Sequence, residues 1–300
     1  MRNIPPFLTF KASRFGLATG LAIAALAAFS SPSGAAVFGN DDRQVLTKDD
    51  AGLEDKIGTL VSSETGAYCT AFCVAPDMIA TASHCLFGTA ATKAPKLKNL
   101  LFKLAAAPQA DSGTPIAGRT TRSQSQNVMS GTTRLSVAPP IGAAQDWAVA
   151  KLESPACTSG GLTLSPRAES EIRAAAARGE IYQIAVHADL PDTDLRRGGP
   201  CDVSESFANA DAATIARDFT NPDAILFHTC DTAGGSSGSP LLIDTPNGPE
   251  VAGINVGTYV LSRNVTTSQD QQRQSKSEPI ANTAIWIAAI AGAVAEMRER

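Results

Sequence analysis

A chain of 300 residues, 43% of them hydrophobic, is long enough to bury a sizeable core, and 24 glycines with 18 prolines point to many turns between short strands rather than to long helices. With 29 acidic against 25 basic residues the formal charge is −4, and no lysine- or arginine-rich block stands out. That excludes nucleic acid and an anionic membrane surface as evident partners. Residues 1–36 read as a signal peptide: Arg2, Lys11 and Arg14 form a positive start, residues 15–29 an apolar run, and Ser33-Gly34-Ala35-Ala36 the small residues that a signal peptidase accepts. The run of about 15 residues falls short of the roughly 20 that span a bilayer. The remainder is therefore expected to be exported, secreted or periplasmic, with no stable membrane anchor.

Residues 37–55 read as an amino-terminal arm, with Gly39-Asn40-Asp41-Asp42-Arg43 as a turn. Ile57-Gly58-Thr59-Leu60-Val61 and residues 69–74 read as strands, and after Ala75-Pro76-Asp77 the apolar run Met78-Ile79-Ala80-Thr81 leads to His84. Residues 108–133, rich in Ser, Thr, Gly, Gln and Arg, read as a surface loop. Asp146 opens the apolar, strand-like run Asp146-Trp147-Ala148-Val149-Ala150-Lys151-Leu152. A linker at residues 155–166 precedes a locally helical stretch at 170–178. Ile181-Tyr182-Gln183-Ile184-Ala185-Val186-His187 follows, its histidine read as structural. His228 ends the apolar run Ala224-Ile225-Leu226-Phe227 and reads as a satisfied core histidine. Pro240-Leu241-Leu242-Ile243 and residues 251–258 read as strands, and residues 282–300 as an amphipathic helix too short to cross a membrane.

Two stretches carry chemistry. Thr81-Ala82-Ser83-His84-Cys85 holds one of only three histidines, and Asp231-Thr232-Ala233-Gly234-Gly235-Ser236-Ser237-Gly238-Ser239-Pro240 holds a glycine-flanked serine. A serine hydroxyl is a poor nucleophile until a base accepts its proton. No histidine follows Ser237, so the α/β-hydrolase elbow, in which the acid and then the histidine come after the serine, lacks its base. The acidic residues before His84 sit in no recognisable setting for the order acid, histidine, serine. The order histidine, acid, serine is left. Among the carboxylates between His84 and Ser237, Asp146 stands apart, because at the mouth of an apolar run it can accept the imidazole N–H and fix the tautomer. The plainer reading of Asp146 is a strand cap.

Thr-Ala-Ser-His-Cys resembles the catalytic-histidine segment of chymotrypsin-like (trypsin-like) serine peptidases, and Gly-Gly-Ser-Ser-Gly-Ser-Pro resembles the nucleophile loop of their bacterial glutamyl-endopeptidase-like branch. The resemblance implies an all-β fold over residues 37–300: two packed six-stranded β-barrels, meeting near residues 155–166, with a C-terminal α-helix. The implied activity is that of a secreted serine endopeptidase working through an acyl-enzyme, with His84 as base, Asp146 orienting it, Ser237 as nucleophile, and the Gly235 and Ser237 N–H groups as oxyanion hole. Residues 251–258 resemble the strand along which such enzymes hold the substrate, which makes Asn255 and Gly257 candidate pocket-wall residues. Asn255 stands where glutamate-selective members have histidine, and Asp231 where trypsin has the acid that binds Arg or Lys. Acidic, basic and small or broad selectivity all stay open. Ser236 replaces the aspartate that pairs with a new amino terminus in trypsin-like zymogens, so that activation route lacks its anion.

The six cysteines fit an oxidising compartment. The resemblance implies a Cys69–Cys85 bridge stapling the histidine loop. Cys201 and Cys230 flank the approach to the nucleophile loop and form a second candidate pair, leaving Cys73 either bonded to Cys157 or as a buried free thiol. With no Cys-x-x-Cys pair and no clustered histidines, no metal and no cofactor are expected. The expected partners are protein or peptide substrates of a monomer. Two other functions share the features: a silent peptidase-fold binding module, against which all three candidate residues are present, and an esterase using the same triad.

Overall fold

The computed structural model describes residues 36–89, 96–108, 110–118, 126–266 and 273–300. The expected signal peptide thus lies, apart from Ala36, outside the described residues. No helix among the described residues is long and apolar enough to cross a membrane.

In chain order the strands are β1 (Gln44–Val45), β2 (Ile57–Ser62), β3 (Tyr68–Ala75), β4 (Met78–Thr81), β5 (Leu100–Leu104), β6 (Thr114–Pro115), β7 (Val128–Ser130) and β8 (Ala148–Lys151). After them come β9 (Thr163–Leu164), β10 (Ile181–Ala185), β11 (Arg196–Gly198), β12 (Val203–Ser204), β13 (Ile225–His228), β14 (Pro240–Ile243), β15 (Glu250–Thr266) and β16 (Arg273–Trp286). Among the described residues four α-helices are interspersed: α1 (Ser83–Phe87), α2 (Glu169–Ala177), α3 (Ala212–Asp218) and α4 (Ala288–Glu299).

The strands form two sheets. The first runs β6-β5-β2-β3-β4-β8-β7 and closes on itself: Ile116 bridges Leu152, the Ala117 N–H donates to the Lys151 carbonyl (2.8 Å), and the Glu153 N–H donates to that of Pro115 (2.9 Å). Closure leaves no long unpaired edge. The second sheet runs β1-β11-β10-β14-β15-β16-β13-β12, with β9 alongside β15 in parallel. This is the all-β, two-barrel architecture with a carboxyl-terminal helix that the sequence implied. The sheets exceed six strands each because two- and three-residue strands add to their edges.

Packing follows the apolar pattern. β3 is buried from Thr70 to Ala75 and β4 throughout, so both read as continuous apolar runs rather than alternating ones. α4 buries Ile290, Ala293, Val294 and Met297, an i, i+3, i+4, i+7 stripe, and packs against β8. Removing a fully buried Ile or Met side chain from water contributes about 1.5–3 kcal/mol each, enough to fix so short a helix in place. The Cys73–Cys157 disulfide joins β3 to the segment that leaves the first sheet, across 84 residues of chain.

Two expectations are corrected. Residues 282–286 belong to β16, not to a helix: Asn282 to Ile285 pair with both β13 and β15, and that double pairing overrides their helical pattern. Residues 108–133 are not simply a loop, since β6 and β7 lie within them and pair with β5 and β8. Strands of two or three residues with few large apolar side chains leave no periodic signal. Of that segment, residues 109 and 119–125 lie outside the described residues.

Candidate active site

β4 and β8 pair antiparallel with Thr81 opposite Ala148, so the residues just after β4 lie beside those just before β8. The first are Ser83 and His84, at the start of α1; the second is Asp146, which follows a 3-10 turn at Ala143–Gln145 and is 1% exposed. The Asp146 carboxylate accepts three hydrogen bonds, from Ser83 Oγ (2.7 Å), the His84 main-chain N–H (2.9 Å) and His84 Nδ1 (2.7 Å). Burial of the His84 ring favours its neutral form, but the adjacent Asp146 charge and hydrogen bond outweigh it and raise the pKa above 6.5. With Nδ1–H held by Asp146, Nε2 is the free ring nitrogen of the neutral histidine.

Ser237 stands over the same ground. Its carbonyl accepts the Thr70 N–H (2.9 Å) and lies 3.9 Å from Cys85 Sγ. Cys85 is bonded to Cys69, and the two sulfurs lie within 4.8 Å of a His84 ring nitrogen. The disulfide is therefore a shared floor under His84 and Ser237. Because these sulfurs are bonded to each other, they offer no thiolate to a metal.

The loop that carries Ser237 is framed by glycines for steric reasons. Gly235 has φ +92°, and a Cβ there would stand 2.6 Å from the Tyr68 ring. Gly238 has φ +83°, and its Cβ would meet Thr81 Oγ1 at 2.1 Å and the Thr70 carbonyl at 2.3 Å. No side chain fits between this loop and the β3–β4 pair. Thr70 clamps the loop a second time, since its hydroxyl donates to the Gly235 carbonyl (2.9 Å) while accepting the Val186 N–H (3.1 Å). The Gly234 carbonyl accepts the Ala188 N–H (2.7 Å). A peptide unit is planar and trans, so fixing that carbonyl aims the Gly235 N–H the opposite way.

Asp231 is not brought to a substrate cavity. It is buried, and its carboxylate accepts the main-chain N–H groups of Phe38 (2.8 Å) and Asp42 (3.1 Å) from the amino-terminal arm. Ala36 also forms a two-bond bridge with Thr232. Burial and the neighbouring Asp231 charge hold the Asp42 carboxyl above the usual carboxylate range. The Cys201–Cys230 disulfide ends immediately before this anchor. Asn255 is likewise turned inward: its amide is taken up by His228 and Ser236. Gly257, by contrast, lines a cavity of about 120 Å³ beside Asp146, together with Leu135, Val137, Ile141, Phe219, Val256, Thr258 and Tyr259. Phe219 and Tyr259 pack edge to face there, 5.0 Å between centroids. The pairing of β15 with β14 ends at Ile254, whereas its pairing with β16 runs on to Thr266. Among the described residues no strand covers the other edge of Val256 to Tyr259.

Thr70, Ala188 and the cavity's aromatic residues escaped the sequence reading. A threonine inside an apolar strand carries no sign of which loop its hydroxyl will meet.

A closed β-barrel set beside a second, larger sheet, with a carboxyl-terminal helix, defines the chymotrypsin-like class of fold. The chain belongs to the trypsin-like peptidase domain family, whose model matches residues 69–254. Among solved structures it is similar in fold to a Glu endopeptidase in complex with MPD, with a TM-score of 0.54 and 16% identity over 88% of this chain and 97% of that one. No curated protein matches the sequence.

Proposed function

We propose that the protein is a serine endopeptidase of the exported compartment. The observation that carries this reading is the Asp146–His84 pair on the same disulfide floor as Ser237. His84 Nε2 takes the Ser237 proton as Oγ attacks the peptide carbonyl, then returns it to the leaving amine. Asp146 holds the ring and stabilises the imidazolium. The Gly235 and Ser237 N–H groups receive the developing oxyanion, and water then releases the acyl group from Ser237. Three disulfides support an oxidising compartment.

The uncovered edge of β15 favours a peptide over a small ester, because an extended chain can add to it as a further strand. The apolar cavity beside that edge takes a side chain of the same substrate. Asp231 has its carboxylate engaged internally and so offers no anion to a basic side chain, Asn255 has its amide engaged and so offers no donor to an acidic one, and small or broad selectivity is the reading they favour. Cleavage of a peptide library beside hydrolysis of a short-chain ester, each with wild type and Ser237→Ala, tests the proposal. Peptide turnover lost in the variant supports it. Ester turnover alone favours the esterase, and neither activity favours a binding module.

A further inference from the structure

His228 lies at the end of β13, fully buried, and both ring nitrogens are engaged. The Cys230 N–H donates to Nδ1 (3.2 Å), so Nδ1 carries the lone pair and the proton sits on Nε2. Nε2–H in turn donates to Asn255 Oδ1 (3.1 Å). That fixes which way the Asn255 amide faces. Its Nδ2 donates to the Ser236 carbonyl (3.1 Å) and to Ser236 Oγ (3.3 Å), and Ser236 Oγ–H passes on to the Ala233 carbonyl (2.8 Å). The main chain of Asn255 holds the other side of the loop, accepting from the Gly238 N–H (2.7 Å) and donating to the Ser239 carbonyl (2.9 Å). One residue therefore grips the chain both before and after Ser237.

We infer that His228 and Asn255 are positioning residues for the oxyanion hole, acting through the peptide unit between Ser236 and Ser237. The inference rests on the proposed peptidase reading. The Ser236 carbonyl and the Ser237 N–H belong to one planar trans unit, so a donor on the carbonyl aims the N–H in the opposite direction. A neutral Nε2–H histidine is the form that sets this chain of donors. Burial lowers the His228 pKa to about 4, against the pull of its bond to Asn255. Opposite His228 on the flanking strands stand Val203 and Asn282, neither charged. Nearby in sequence, Asp202 is exposed and Asp231 is turned to Phe38 and Asp42.

The test compares His228→Leu, His228→Gln and Asn255→Asp with wild type and Ser237→Ala, using kcat and KM on one peptide substrate across pH, with active sites counted by a fluorophosphonate endpoint and folding by thermal melts. Asn255→Asp keeps an acceptor for His228 but places a carboxylate against the Ser236 carbonyl, so kcat is expected to fall about 10²–10³-fold with KM unchanged, the loss of one oxyanion donor. Its activity relative to wild type should rise as pH falls, because a protonated carboxyl can again donate to that carbonyl. His228→Leu should lower kcat about tenfold or more, and His228→Gln, which keeps a donor near the Nε2 position, should recover most of the loss. Asn255→Asp within twofold of wild type, a loss carried by KM, a pH-independent deficit, or Gln no better than Leu overturns the inference. If His228→Leu fails to fold, Asn255→Asp and His228→Gln decide it. A wild type whose turnover does not depend on Ser237 overturns the peptidase reading instead.

Discussion

Replacing Asp146 by asparagine changes one atom in shape and should remove nearly all turnover. One carboxylate oxygen accepts from Ser83 Oγ and the His84 main-chain N–H; the other accepts from His84 Nδ1. An amide has only one acceptor oxygen. The main-chain N–H cannot turn away, so the amide oxygen is held on its side and the NH₂ group faces Nδ1. Nδ1 must then accept, the ring proton moves to Nε2, and Ser237 meets an N–H where it needs a lone pair. The expected loss is about 10⁴-fold in kcat, or about 5.5 kcal/mol on the barrier. The fold loses far less, about 1–3 kcal/mol for one weakened charge-assisted bond. Steady-state kinetics on a peptide substrate beside a thermal melt separate the two. A variant within tenfold of wild-type kcat, or one whose loss lies in KM, would refute this reasoning.

Four further outcomes are expected. The acid limb of the pH–rate profile should have its midpoint above 6.5, since His84 must be neutral to act and Asp146 raises its pKa; by linkage the stability from this pair is present at low pH and lost as pH rises through the folded pKa, and a midpoint below 6.5 contradicts it. His187 and His228, both held neutral with pKa about 4 by burial, should do the reverse: melts should show stability falling as pH drops from about 6.5 toward about 4, where the unfolded chain binds protons that these rings refuse. Removing Cys69–Cys85, with a separation of 16 residues, should cost about 3 kcal/mol and most of the activity, whereas removing Cys73–Cys157, with a separation of 84, should cost about 4–5 kcal/mol but leave kcat of the folded fraction nearly intact, as equilibrium unfolding and active-site-normalised kinetics will tell. Asp231→Ser should lower the melting temperature and all cleavages together, because its carboxylate ties down the Phe38 and Asp42 N–H groups; a selective loss of cleavage after Arg or Lys would show a pocket role instead.

The sequence made the local features legible. Asp146 was recognisable because it opens the apolar run of β8, and His84 because Thr81-Ala82-Ser83-His84-Cys85 resembles a known segment; the pairing of β4 with β8 brings the two together. The tight turn around Ser237 was legible from its glycines, which fit only where Tyr68 and Thr81 leave no room. What the sequence hid depends on side-chain direction. Asp231 sits six residues before Ser237 whether it faces a substrate or the arm, and its partner Phe38 is 193 residues away. Asn255 lies in β15, yet the strand's alternation gives no hint that the amide meets His228. Thr70 looks like any β-branched strand residue, although both its main-chain N–H and its hydroxyl hold the loop.

A fluorophosphonate probe with peptide mapping decides whether Ser237 is the nucleophile. Incubated with the native protein, it should form one covalent adduct, on Ser237 Oγ, and the adduct should be nearly absent in His84→Ala and Ser237→Ala proteins that melt normally. No adduct on a folded wild-type chain, or an adduct that persists in Ser237→Ala, would contradict the account.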